Sequence, residues 1–129
     1  LTGNLLDTNV ALIAVTEPIR LSAAIRSALL SGRNVISVVS YWEVMLKSMK
    51  GKLDVEDPRE WWSDTLRQLR AKPLALNAEH IAAVYALPAL HQDPFDRILV
   101  AQARVGGLGL LTTDVQITAY AEFGLRIVS

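Results

Sequence analysis

Five apolar runs too short to be helices punctuate this chain, and helical periodicity fills the gaps between them. The runs are Asn4-Leu5-Leu6, Asn34 to Val38, Pro73 to Leu76, Leu110-Leu111 and Leu125 to Val128. Strands joined through helices run parallel, since a tight hairpin joins only antiparallel neighbours. A parallel sheet must in turn be covered on both faces. The order strand, helices, strand, helices, strand, helix, helix, strand, helix, strand therefore predicts an α/β fold with three layers and a central parallel sheet. A length of 129 residues fits a single domain over 1–129, and 51% hydrophobic residues supply its core.

Helix ends are written in caps and breakers. Asp7 closes the first strand, and Thr8 and Asn9 lead into a helix over Val10 to Val15. Pro18 opens a second helical pattern with Leu21, Ala24, Ile25, Ala28 and Leu29 inward, stopped by Ser31-Gly32. Ser40 opens the next helix with Glu43 three residues on, which is capping-box spacing, and Gly51 breaks it. Asp57-Pro58 launches a helix through Arg70, in which Trp61 and Trp62 divide between core and rim. Asn77 caps Ala78 to Ala86, with His80 as a packing or surface residue. Asp93-Pro94 caps the most apolar helix, marked by Phe95, Ile98, Leu99 and Gln102. Gly106, Gly107 and Gly109 read as a helix stop and turn, and a short helix follows from Val115 to Ala121.

Several chemistries are excluded. No cysteine is present, so disulfides and thiolate metal sites are ruled out, and a reducing cytoplasm is the expected compartment. No run of 18 apolar residues predicts a membrane span, and no basic leader precedes an apolar signal segment. Thirteen basic residues balance thirteen acidic ones, which argues against a broad duplex-binding surface but leaves room for a local basic rim. Two histidines lack zinc-motif spacing; His91, beside Asp93, is the better functional candidate. The glycines match neither a Walker loop nor a dinucleotide fingerprint, and no nucleophile elbow is present.

What remains is acidic. Asp7 and Asp114 each follow a strand, at the end where parallel sheets bind ligands. Glu43 and Asp96 each stand near a helix start, so one cleft can collect all four, with Asp93 close by. Crowded carboxylates call for a proton or a cation. Hard oxygen ligands suit Mg²⁺ or Mn²⁺, which can position water and neutralise a phosphodiester under attack. Simpler roles exist for each acid alone: helix cap, capping-box partner, or surface pair with Arg97 or Lys47.

Four segments in order carry a family likeness: Leu5-Leu6-Asp7-Thr8-Asn9, Ser40-Tyr41-Trp42-Glu43, Asp93-Pro94-Phe95-Asp96-Arg97, and Leu110-Leu111-Thr112-Thr113-Asp114. With them the chain resembles the PIN-domain family, specifically VapC-type toxins of bacterial toxin-antitoxin pairs. The resemblance implies a three-layer α/β/α fold and a metal-dependent endoribonuclease. It implies Asp7, Glu43, Asp96 and Asp114 as catalytic and metal-holding acids, with Asn9, Asp93 and Thr113 as auxiliaries. Lys47, Lys50 and Arg97 are candidate RNA contacts. Mg²⁺ is the expected cofactor, replaceable by Mn²⁺; the expected partners are RNA, a small antitoxin and a second copy of the chain. The other readings are an RNA-processing or DNA nuclease of the same fold, or an inactive binding module. A receiver-like phosphorylation domain fits less well, for want of a lysine after a late strand.

Overall fold

The computed structural model describes residues 3–129. Its five strands are β1 (Asn4–Leu6), β2 (Asn34–Ser37), β3 (Lys72–Leu74), β4 (Gly109–Leu111) and β5 (Ile127–Val128). All neighbours are parallel, in the order β3-β2-β1-β4-β5. The helices are α1 (Thr8–Thr16), α2 (Ala23–Leu30), α3 (Val38–Met49), α4 (Pro58–Gln68), α5 (Ala78–Val84), α6 (Pro94–Gly106) and α7 (Val115–Thr118). The expected three-layer α/β/α arrangement is the one observed.

Side-chain alternation along each strand divides the core in two. Leu5 and Leu110 point to one face, where Leu99, Val100 and Ala103 of α6 meet Ile117, Tyr120 and Leu125. Their chain neighbours Leu6 and Leu111 point to the other, with Val10 and Ala11 of α1, Ile25 of α2, and the partly buried Trp61 and Trp62 of α4. Both faces of β1 and β4 are sealed, which explains why these strands read as unbroken apolar runs. Trp62 also stacks on Tyr41 of α3, with ring centroids 4.8 Å apart, so the tryptophan pair is part core and part rim.

Several helix boundaries differ from the sequence reading: α5 ends at Val84 rather than Ala86, α7 ends at Thr118 and gives way to a 3₁₀ turn over Ala119–Phe123, and three further differences bear on packing. The stretch after Pro18 is not one helix: Pro18–Arg20 forms a 3₁₀ turn, and α2 restarts after Ser22, whose hydroxyl accepts the Ile25 N–H. Helix α4 stops at Gln68, because Arg70 turns left-handed at φ 48° and the Ala71 N–H returns to the Leu66 carbonyl. The cap of α3 is Ser37, three residues earlier than expected; its hydroxyl accepts the Val39 N–H. Glu43 therefore belongs to the second turn, and the capping-box role is removed.

The chain order reverses between β1 and β4, since β2 lies on one side of β1 and β4 on the other. Ligands of open α/β sheets bind in the crevice outside the strand ends at such a point. Asp7 and Asp114 follow these two strands.

Candidate active site

Asp7 is the N-cap of α1. Its Oδ1 accepts the Val10 N–H at 2.8 Å, and its Oδ2 accepts the Thr112 hydroxyl in a short hydrogen bond. The Thr113 main-chain N–H also donates to this carboxylate. With only 3% of the residue exposed, burial outweighs these donors and pushes its pKa up. Thr112 Oγ1 accepts the Asp114 N–H at 2.9 Å, so one buried hydroxyl ties the two strand-end acids together. Asp114 caps α7 through the Gln116 N–H at 2.8 Å.

Glu43 is 4% exposed and engaged at both oxygens. Oε1 lies 2.6 Å from the Thr8 hydroxyl, and Oε2 lies 2.8 Å from Lys47 Nζ one helical turn away. Thr8 Oγ1 is also 2.9 Å from Ser40 Oγ. A hydroxyl has one proton, so Thr8 gives its own to the carboxylate and accepts that of Ser40. The Glu43 hydrogen bond in turn holds the Lys47 ammonium above its ordinary pKa.

Asp93 caps α6, its Oδ1 accepting the Phe95 and Asp96 N–H groups at 2.9 and 3.4 Å. Asp96, in the first turn, is the most perturbed group of the site. Burial, then the charges of Asp93 and Glu43, raise its pKa from 3.8 to about 7 against a smaller opposing influence of His91. His91 is 8% exposed, with Nε2 2.8 Å from Asp114 Oδ2 and 3.2 Å from Asp96 Oδ2.

A cavity of about 210 Å³ gathers Asp7, Glu43, Asp93, Asp96 and Asp114 together with Thr8, Asn9, Lys47 and His91. Five carboxylates thus face one ammonium and one imidazole. The donor set is dominated by hard oxygens, and ligand atoms of His91, Asp96 and Asp114 lie within 4.8 Å of one another. Such chemistry fits Mg²⁺ or Mn²⁺.

The remaining sequence candidates divide. Asn9 is exposed on the cavity wall. Thr113 is also exposed and acts through its main chain, while the side-chain role expected of it falls to Thr112, which is wholly buried. Adjacent threonines at a strand end leave that choice to strand phase. Lys50 is exposed at the C-cap of α3 and does not line the cavity. Arg97 departs most from the expected RNA contact. Its guanidinium donates to the carbonyls of Pro88 (3.1 Å) and His91 (3.3 Å), to those of Val84 (3.4 Å) and Leu87 (3.5 Å), and to Tyr120 Oη (3.4 Å). It buckles the 84–91 segment onto α6 instead of facing the cavity. Thr8, Ser40, Thr112 and His91 are members that the reading of acids alone does not assign. His91 was signalled by its place beside Asp93; the hydroxyls carry no signal before the strands are aligned.

The model of the PIN domain matches residues 5–122. The chain belongs to the PIN domain family. Nucleases with this domain are typically metal-dependent hydrolases. Among solved structures, the fold is similar to that of DNA-bound VapBC from Salmonella typhimurium, with a TM-score of 0.72 at 17% identity, covering 99% of this chain and 98% of that one. VapBC2 from Rickettsia felis, bound to a DNA fragment from its promoter, aligns with a TM-score of 0.67 at 16% identity over 97% of this chain and 96% of that one. A toxin-antitoxin complex from Klebsiella pneumoniae aligns at 0.63 and 19% identity, covering 98% and 97%. No curated protein sequence matches significantly. The PIN fold expected from the four motifs is thereby found, as a five-stranded parallel sheet with seven helices among the described residues. None of those helices is long and apolar enough to cross a membrane.

Proposed function

We propose that this PIN domain is the ribonuclease toxin of a toxin-antitoxin pair, hydrolysing RNA phosphodiesters in a divalent-cation-dependent reaction. The observation that carries the proposal is the convergence of five carboxylates on one cavity at the β1/β4 reversal, with Lys47 and His91 as their nearby basic groups. Bound Mg²⁺, or Mn²⁺ in its place, would supply activation of a water molecule and neutralisation of phosphate charge. Asp7, Asp96 and Asp114 are the residues to hold it, and Glu43 completes the acidic shell, its orientation fixed by Thr8 and Lys47. Asp93 and Thr112 fix their neighbours by hydrogen bonds. Lys47 stands where a phosphate oxygen of the RNA would approach the acids, and Asn9 offers an uncharged contact on the same wall.

This route needs no 2′-hydroxyl as nucleophile; in-line attack with the 3′-oxygen as leaving group, the course the PIN-domain family implies, leaves a 5′-phosphate and a 3′-hydroxyl. End-group analysis of cleaved RNA tests it, with wild type and Asp7→Asn compared in Mg²⁺, Mn²⁺ and chelator. The expected result is cleavage by the wild type that chelator stops and either cation restores. A 2′,3′-cyclic phosphate formed equally well in chelator overturns the mechanism. The toxin-antitoxin complexes among the structural relatives support an antitoxin as protein partner, which we expect to be small, and we infer the cytoplasm as the site of action. We further infer a homodimer, which light scattering over a concentration series tests.

A further inference from the structure

We propose that His91 is a positioning residue that aims Asp114 by donating a hydrogen bond and stands in close contact with Asp96, and that it is not itself a metal ligand. The inference rests on the reading of the cavity as a cation site.

The ring is held by its surroundings in one tautomer. Its Nδ1 accepts the Asp93 N–H at 3.0 Å, so that nitrogen carries no proton. With Nδ1 bare, the ring proton sits on Nε2, which donates to Asp114 Oδ2 at 2.8 Å and lies 3.2 Å from Asp96 Oδ2. The two sides of the ring agree on this assignment. A nitrogen can ligate only through a bare lone pair, and neither qualifies: the Nδ1 lone pair is taken, and Nε2 bears hydrogen. Moving the proton to Nδ1 would set it against the Asp93 N–H. That N–H cannot turn away, because Asp93 is anchored as the cap of α6.

The backbone of His91 is fixed as firmly. Its N–H donates to Tyr120 Oη at 3.1 Å, and its carbonyl accepts from Arg97. Tyr120 is wholly buried and itself donates to the Pro88 carbonyl at 3.0 Å. Asp96 has most need of such a neighbour: its carboxylate accepts no hydrogen bond from any described residue, and His91 Nε2 lies 3.2 Å from its Oδ2. Placing Nε2 beside both carboxylates fixes Asp114 by a hydrogen bond and keeps Asp96 next to it, without occupying the lone pairs on their far sides. Such orientation of ligating carboxylates by hydrogen bonds from outside the ligand set is common in metal sites, and its loss typically weakens metal binding about 10- to 100-fold.

The test uses the whole chain. Long-range ¹⁵N–¹H NMR at fixed neutral pH reads both ring nitrogens of His91, first without metal and then with saturating Mg²⁺. The expected result is a bare Nδ1 and a protonated Nε2 in both states. Loss of the Nε2 proton on adding Mg²⁺ overturns the assignment. Calorimetric titration with Mg²⁺ then compares wild type, His91→Ala and His91→Gln, with circular dichroism checking the fold. His91→Ala is expected to weaken binding about tenfold. His91→Gln, whose amide can donate from the place of Nε2, is expected to recover most of that loss. Unchanged affinity in both folded variants removes the positioning role while leaving the cation reading intact. A wild type that binds neither Mg²⁺ nor Mn²⁺ overturns both.

Discussion

Replacing Asp96 by Asn should stabilise the metal-free protein at alkaline pH while abolishing its response to Mg²⁺. Burial and the charges of Asp93 and Glu43 raise the Asp96 pKa from 3.8 to about 7. At about 1.36 kcal/mol per pH unit, ionising this group costs the folded state at most about 4 kcal/mol. The side chain is 18% exposed at the cavity wall, so solvent screening reduces that ceiling to about 1–3 kcal/mol. The sign follows from the direction of the shift. The folded state holds the proton more tightly than the unfolded chain, so this stabilisation is complete below about pH 4. It is lost as pH rises through about 7. Asn imitates the protonated acid at every pH. Urea denaturation in chelator should therefore show Asp96→Asn about 1–3 kcal/mol more stable than wild type at pH 8, and nearly equal to it at pH 4. At about 4 °C per kcal/mol, this is a Tm gain of about 4–12 °C. Mg²⁺ at a hundred times its Kd should add about 2.7 kcal/mol to wild type and little to the variant. A variant less stable than wild type at pH 8, or a difference independent of pH, would refute the reasoning.

Three further outcomes are expected. Thr112→Val should cost about 1–3 kcal/mol in urea denaturation, because it removes the donor to Asp7 and the acceptor of the Asp114 N–H, whereas Thr113→Val should stay within about 0.5 kcal/mol. Arg97→Ala should cost about 2–4 kcal/mol by the same measurement, since it strips donors from several carbonyls, and Arg97→Lys should restore little of it because an ammonium lacks the planar fork. In an RNA cleavage assay Lys47→Ala should raise KM about tenfold, the worth of one charged contact, while Lys50→Ala, outside the cavity, should leave it within about twofold.

What the sequence reveals follows from what is local. Strands β1 and β4 are legible because both faces are buried, and the caps at Asp57, Asn77 and Asp93 because each is followed by a helical pattern. The placing of Asp7 and Asp114 at strand ends needed only the rule that parallel sheets bind at that edge. The boundary of α3 was misjudged because Ser37 and Ser40 are equally good caps on paper. The choice between them depends on where β2 ends. Arg97 is hard to read for a different reason: its sequence neighbours suggest an ion pair with an acid, whereas its hydrogen-bond partners lie on a loop that the sequence does not bring near. The hydroxyl of Thr8, 35 residues from Glu43, is invisible for the same reason. Residues whose roles are set by their own helix or strand can be read directly; those whose roles depend on register between distant segments cannot.

The bond from Thr112 to Asp7 joins residues 105 positions apart, and β1, at the centre of the sheet, waits for β4 across the same interval. During synthesis the first acid emerges 105 residues before the threonine that fixes it. Closing so long a loop comes late, because its entropic cost precedes any return from the contact. A nascent chain halted before β4 would have Thr8 to hold Glu43 but would lack the Thr112 hydroxyl that holds Asp7. The two strand-end acids are therefore tied together only once β4 has been made and has docked beside β1.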